Sequence, residues 1–530
     1  MSPLRPAFLA SFLLLWTLSA RVAPGSDAAT IRDVARAVAL EGRLDLDHPS
    51  PGYTVQAPDG RWFAKFPLLA SLVAVPAQYP ERLIETAAMP PADKDLYLAL
   101  VRGLTPAAVG AAAVTLLLAI LLALGHRPVV AAGVTAAWLF ATCALPYLRS
   151  AWSEGIQLCA VALCLLAAVR FARVAPGRRT PGQAPGPRDA ILLGLSAGLV
   201  LLAKPVLAPF AGATAAGALV AAWPSIRPRL ARVLAWAAAG ALPPVAASIA
   251  YDFARSGSPL MTDYGLFLVP VGFTHPVPDG LYGLLLSPGR GLAWYAPVVA
   301  LSVAGAVAAA RERPRDAVRI GAGTGFLGVL LLYSAFTVWH GGEQWGPRFL
   351  VPMLAPLAVL GAPVAERLIA RGRPGGLSLV AALVAAGLFV NVPGLLVSPS
   401  DFFSAVPYRP HSEVPLDADL RPTEPVEADN LSLVNHVPAF SPISGHRRLL
   451  GHAVAGGDPA EDAPWIEQSA GRPPLRQPVD PRLDLWFVPD ARRPDVPGPQ
   501  GLAILAVLLL ATLAATVDAI RSIRRAQVPG

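Results

Sequence analysis

Five ionisable residues stand beside long apolar runs, where charge is costly and usually has a function. Asp27, in G-S-D-A-A-T, follows the first apolar run, and Glu154, in L-R-S-A-W-S-E-G, opens the fourth. Two carboxylates delivered to one face by different helices can hold a metal ion, or divide the roles of general base and orienting group. Each also has an ordinary reading as a first-turn or N-cap acid favoured by the helix macrodipole, and a carboxylate caged by helix N–H groups is a poorer base. Lys204, in L-L-A-K-P, ends the fifth run, where a snorkelling lysine is the common case. Arg348, in W-H-G-G-E-Q-W-G-P-R-F-L, starts the tenth run beside Trp339 and Trp345, which read as an aromatic belt, and Arg290 lies in S-P-G-R-G. Arginines next to spans on the outer face run against the usual charge bias; an anionic lipid headgroup or a phosphate leaving group would give them a reason. His340 and Glu343 read as a solvated loop.

The elements that must position these groups follow from composition. Of 530 residues, 54% are apolar before the 46 glycines are counted and only 15% are charged, against about 25% charged in soluble domains. Such a chain cannot bury its apolar surface in one water-soluble core, so it reads as a polytopic membrane protein. Twelve runs are long enough to span or nearly so: 6–22, 105–124, 128–148, 155–172, 190–204, 206–223, 232–250, 292–310, 318–338, 349–368, 377–397 and 501–519. With Arg5 inside, the short Arg-rich connections carrying Arg127, Arg170, Arg173, Arg178, Arg179, Arg188, Arg227, Arg229, Arg232, Arg311, Arg313, Arg315, Arg319, Arg367, Arg371 and Arg373 all fall on the cytoplasmic side, with Arg521, Arg524 and Arg525 in the tail. The hydrophilic segments 25–103 and 398–500 then lie outside. The first run also fits a signal peptide, but eleven later spans favour a retained helix.

The net charge of +8 comes from dispersed arginines, with only Lys65, Lys94 and Lys204 as lysines, so nucleic acid is not a partner. Cys143, Cys159 and Cys164 sit inside apolar runs and imply no disulfide framework. No phosphate-binding Gly-rich loop, H-E-x-x-H motif or Cys/His metal set is present. In the first outer segment Ile31, Val34, Ala35 and Val38 recur at helical spacing, predicting an amphipathic helix on the outer leaflet that ends near Gly42. Asp59-Gly60 predicts a turn between short extended pieces. Gly194 and Gly198 predict close helix packing, and Pro243 and Pro244 an interrupted span. The organisation expected is 1–397 as a transmembrane domain including the first outer loop, 398–500 as a Pro-rich extracytoplasmic region with Trp465, Trp486 and Phe487, and 501–530 as a last helix and basic tail. The Asn430-Leu-Ser sequon reads as accidental in a chain of bacterial composition.

In this order the pieces resemble the GT-C superfamily of polytopic glycosyltransferases, especially members related to protein mannosyltransferases and aminoarabinose transferases. The resemblance rests on Asp27 and the amphipathic helix behind it, A-L-E-G-R-L-D-L-D, D-G-R-W-F-A-K-F-P at Asp59 to Pro67, R-S-A-W-S-E, G-L-S-A-G-L-V-L-L-A-K-P, R-S-G-S-P-L, G-L-L-L-S-P-G-R-G-L and G-P-R-F-L, over residues 5–397. It implies an all-α polytopic fold of about twelve transmembrane helices. It implies a polyprenyl-phosphate sugar donor, inversion at the anomeric carbon, and a glycan, lipid or protein acceptor on the extracytoplasmic face of a bacterial inner membrane. Asp27 would be the base activating the acceptor, Glu154 the second acidic position, and Lys65, Lys204 and Arg348, with Arg290 as a weaker member, the cations on the lipid phosphate. The acid that often neighbours the key Asp is here Ser26, so a divalent metal held by Asp27 and Glu154 stays open. A flippase for lipid-linked saccharide would place ionisable groups near mid-bilayer, and a non-catalytic scaffold would cage Asp27 far from Glu154.

Overall fold

The computed structural model describes residues 3–20, 26–50, 53–172, 185–259, 272–311, 316–342, 344–370, 374–405, 434–455, 483–488 and 497–527. Arg173, Arg178, Arg179, Arg313, Arg315, Glu343, Arg371, Arg373, Asn430 and Trp465 lie outside the described residues. The protein is helical, with one two-stranded sheet. The helices are α1 (Leu4–Thr17), α2 (Ser26–Glu41), α3 (Leu68–Thr86), α4 (Pro91–Ala123), α5 (Pro128–Phe140), α6 (Ala144–Leu148), α7 (Ser153–Ala172), α8 (Pro187–Ala203), α9 (Ala208–Ile226) and α10 (Leu230–Ser256). They continue with α11 (Val277–Leu285), α12 (Leu292–Tyr295), α13 (Ala300–Arg311), α14 (Ala317–Ala335), α15 (Leu354–Ala370), α16 (Pro374–Leu396), α17 (Pro399–Ala405), α18 (Pro442–Ala455) and α19 (Gly498–Arg525).

Among the described residues, each of the twelve apolar runs lies mostly on helix, with non-helical breaks at 141–143, at Ala296 and at 336–338. Among the described residues, seven helical stretches are long and apolar enough to cross a membrane, one of them the continuous 52 residues of Pro205–Ser256 that hold α9 and α10. The count of twelve is therefore not established, although the polytopic class is. Proline shapes several runs: Pro297 separates α12 from α13, while Pro243 and Pro244 sit inside α10 without ending it. The expected close packing is between α8 and α10. A Cβ on Gly194 would strike the Ala237 carbonyl, and one on Gly240 the Ile191 carbonyl, so only glycine lets these backbones approach.

The segment between the first two apolar runs is more structured than the pattern predicts. The stripe of α2 is buried, but against protein: Val34 packs with Phe63, Ala64, Leu68, Leu202 and Tyr251. That face is covered by the neighbouring hairpin and helices, which corrects the expectation that it rests on lipid. The hairpin pairs β1 (Thr54–Gln56) with β2 (Trp62–Ala64), and Gly60 turns it at φ 88°. Helix α3 is a second helix of this segment and continues through the internal Pro76 and Pro80. Helix α4 begins 14 residues before its apolar run, in the charged stretch Asp93, Lys94, Asp95; at 1.5 Å per residue it extends about 20 Å beyond the run.

Two charged clusters mark the ends of the bundle. His126 and Arg127, after α4, bond Glu366 of α15, with Arg319 of α14 and Asp316 just before that helix alongside. Arg348, at the other end of the stretch that becomes α15, stands about 30 Å away by helical rise, the thickness of a bilayer core.

Candidate active site

At that second end one guanidinium joins two carboxylates. Arg348 Nη2 donates to Asp27 Oδ2 at 2.6 Å and Nε to Glu154 Oε1 at 2.6 Å. Asp27 is in the first turn of α2, Glu154 in the first turn of α7, and Arg348 opens a 3-10 turn, Arg348–Met353. Three distant parts of the sequence thus meet within hydrogen-bond distance. Glu154 is 1% exposed at its side chain, against 23% for Asp27, so the site grades from a buried acid to one open to solvent. The guanidinium also lies 5.0 Å from the Trp152 ring, whose flat face suits a planar cation. Among the described residues, Asp27 Oδ1 accepts no hydrogen bond and Arg348 Nη1 donates none.

The loop before Arg348 is held from below. Gly346 takes φ 63°, and a Cβ there would strike the Tyr295 ring. Arg290, 0% exposed, donates through Nε to Asn435 Oδ1 at 3.0 Å, through Nη2 to Gly342 O at 2.6 Å and through Nη1 to Gln344 O. Its guanidinium is committed to backbone and amide oxygens, so it shapes the loop that presents Arg348. Trp339 and Trp345 are buried at 5% and 1%, and Trp345 Nε1 donates to Asn391. They are core residues of this loop, which corrects the aromatic-belt expectation.

Lys204 and Lys65 lie on neighbouring elements. Lys204 leaves α8 in extended backbone and places Nζ 5.8 Å from the ring of Phe349, the residue after Arg348. Lys65 follows β2, and its carbonyl accepts from Arg255 Nη1 at 2.6 Å, with Asp252 holding that arginine from the other side. Lys65 is buried, and burial pushes its ammonium below the usual lysine range.

Arg149, just before α7, makes a buried ion pair with Asp484 at 2.6 Å and also bonds the Leu18 carbonyl. Trp486 Nε1 donates to Thr17 O at 3.1 Å, so residues 483–488 tie the end of α1 to Arg149 and pack against α4 and α19. The partnership of Arg149 and Asp484 was invisible in the sequence, because 335 positions separate them. Arg255 carried one signal, its place in R-S-G-S-P-L.

A cavity of about 600 Å³ abuts the ion cluster. Its walls come from α2, α3, α4 and residues 147–156, including Ala28, Trp152 and Ser153 beside the three charged groups. The site does not fit a divalent cation as it stands, because Arg348 already bonds both carboxylates. Among the described residues, no group of three or more His, Cys, Asp and Glu side chains converges.

No family model matches the chain, and no curated protein matches it. Solved structures do resemble it in outline. The crystal structure of ArnT from Cupriavidus metallidurans bound to undecaprenyl phosphate is similar at 14% identity and a TM-score of 0.46, over 87% of this chain and 80% of that one. The archaeal oligosaccharyltransferase AglB from Archaeoglobus fulgidus, in complex with an inhibitory peptide and a dolichol-phosphate, is similar at 11% identity and a TM-score of 0.41, over 73% and 54%. Likenesses of this degree assign no role to any residue.

Proposed function

We propose that this chain is a membrane glycosyltransferase that moves a sugar from a polyprenyl-phosphate-linked donor to an acceptor on the extracytoplasmic face, with Asp27 as base. The observation that supports the reading best is the Asp27–Arg348–Glu154 cluster at the rim of the bundle, with a cavity against it. Of the three groups Asp27 is the one most open to solvent, as a base acting on an acceptor from the water side must be.

The chemistry starts from Asp27 Oδ1 and Arg348 Nη1, which make no hydrogen bond among the described residues. The acceptor oxygen attacks the anomeric carbon, its proton passes to Asp27 Oδ1, and the bond from that carbon to phosphate oxygen breaks, its electron pair leaving on polyprenyl phosphate. Arg348 Nη1 and the Lys204 ammonium stabilise the charge that develops on the leaving phosphate. Glu154 holds the guanidinium in place throughout. Arg348 also restrains Asp27 until the donor phosphate competes for it, so the base is released when the donor arrives. No step is routed through a metal.

The test is sugar transfer from a polyprenyl-phosphate donor by protein in nanodiscs. Asp27→Asn should lower kcat by about 100-fold or more, the usual contribution of a positioned base; undiminished activity removes Asp27 from the mechanism. Lys204→Met should raise the donor KM while leaving kcat largely intact, and an unchanged KM rejects its phosphate role.

A further inference from the structure

We propose that Asn435 is a positioning residue: it orients Arg290, and through Arg290 the loop 341–348 that presents Arg348. The unit made of α17 and residues 434–455 then acts as a clamp on the site. The clamp itself is a claim about the fold; its effect on a lipid phosphate rests on the transferase reading above.

The loop is poorly able to set its own shape. Gly341 and Gly342 take φ 75° and 76°, and glycine loses more conformational freedom on ordering than any other residue. Order has to come from outside, and Arg290 supplies it. Its guanidinium is a rigid planar fork, and all three nitrogens are engaged at once. Nη2 donates to the Gly342 carbonyl at 2.6 Å, and Nη1 to the Gln344 carbonyl, with the Gly346 carbonyl at 3.5 Å. Those bonds hold the loop. Nε donates to Asn435 Oδ1 at 3.0 Å, from 145 positions along the chain. Because the three nitrogens share one plane, the acceptor at Nε fixes the direction in which the other two point.

The unit that carries Asn435 has a small core of its own, in which Val397, Phe402, Phe403, Val434 and Leu449 pack together. It is seated closely on the elements around the site. Gly289 N donates to the Asn435 carbonyl at 3.0 Å, and a Cβ on Gly289 would strike the Val434 carbonyl. The Phe403 ring lies 5.4 Å from the Arg290 guanidinium, and the His446 ring 4.6 Å from that of Trp345. Asn435 is 2% exposed and Arg290 0%, so bulk water does not stand in for the amide oxygen. A buried charged donor that loses its acceptor is costly. The guanidinium would turn toward another oxygen and draw the loop carbonyls with it. Among the described residues Asn435 Nδ2 makes no hydrogen bond, so the oxygen is the atom that matters.

The test uses the full chain in nanodiscs, with two readouts: hydrogen exchange across 337–350 and the Kd for undecaprenyl phosphate. Asn435→Leu removes the acceptor, whereas Asn435→Asp keeps an oxygen in its place. The leucine variant should exchange faster across the loop and bind about tenfold more weakly, the weight of one hydrogen bond to a charged group. The aspartate variant should restore both values. Gly289→Ala, which pushes residues 434–435 away and leaves Asn435 itself intact, should reproduce the leucine result. Should Asn435→Leu fail to fold, Gly289→Ala carries the same test. Unchanged loop exchange in the leucine and alanine variants overturns the clamp. Faster exchange with an unchanged Kd means that Asn435 only stabilises the fold, and overturns the positioning role. Failure of aspartate to rescue does the same. A parent protein that binds no undecaprenyl phosphate sinks the transferase reading and with it the effect on the lipid, while loop exchange still decides the clamp.

Discussion

At the scale of single residues, Arg348 decides what the neighbouring acids can do. Its two bonds of 2.6 Å leave from different nitrogens, so one planar group spans two carboxylates. A lysine carries the same charge at one point and cannot span both. Arg348→Lys should therefore keep the protein folded but lower transfer and raise the donor KM. Arg348→Met should destabilise by about 3–5 kcal/mol, because it leaves Glu154 charged, buried and unpaired. Thermal unfolding in detergent, read alongside donor KM, separates the two variants. If the methionine variant is as stable as the parent, the guanidinium is not holding Glu154. Since Arg348 already stands between the acids, EDTA should leave the rate unchanged. Asp27, Glu154 and Arg348 were legible in the sequence for one reason: charge beside an apolar run is expensive, and each must have something to offset it. Asn435 and Asp484 were not legible, since neither is out of place until the fold shows what surrounds it.

At the scale of elements, helical hydrophobicity was legible and the outer elements less so. A run of apolar residues announces a helix, and even the short 190–204 run falls on α8. The outer helix α3 carries two internal prolines and the start of α4 carries charge, so neither shows the pattern of a buried helix. One imidazole is fully buried where α18 docks. It is that of His446, 4.6 Å from the Trp345 ring and 5.1 Å from Phe402. Its Nδ1 donates to the Pro442 carbonyl at 2.8 Å, leaving Nε2 as a bare lone pair with no donor. Burial, with the Arg290 charge nearby adding to it, pushes its pKa down to about 3. Between that value and the ordinary 6.5 the undocked helix binds the proton and the docked one does not. Docking is thus fully stable above pH 6.5 and loses strength as pH falls toward 3, by up to a few kcal/mol. Hydrogen exchange across 442–455, corrected for its intrinsic pH dependence, should rise between pH 7 and pH 4. His446→Phe should flatten that rise; an unchanged pH response assigns the proton to another group.

At the scale of the whole molecule, the two charged clusters give the chain a direction. The Arg348 cluster and the Glu366 cluster lie on one continuous stretch about 30 Å apart by helical rise, so a bilayer core fits between them. By the positive-inside bias, the arginine-rich connections at the Glu366 end predict a cytoplasmic position for that end, with the hairpin and its Asp59-Gly60 turn facing out beside the site. Thiol labelling tests this directly. The native cysteines offer little background, since Cys143 and Cys164 are buried and the Cys159 thiol donates to the Val109 carbonyl at 3.0 Å. In right-side-out vesicles an impermeant maleimide should modify Asp59→Cys, which sits at an exposed turn, and should spare Arg229→Cys, which is exposed between α9 and α10, until the membrane is opened. The opposite pattern would put Asp27 in the cytoplasm, and the extracytoplasmic acceptor would fall while the ion cluster stood. Labelling of both sites before opening would mean that the segments between them do not span, and the topology itself would have to be redrawn.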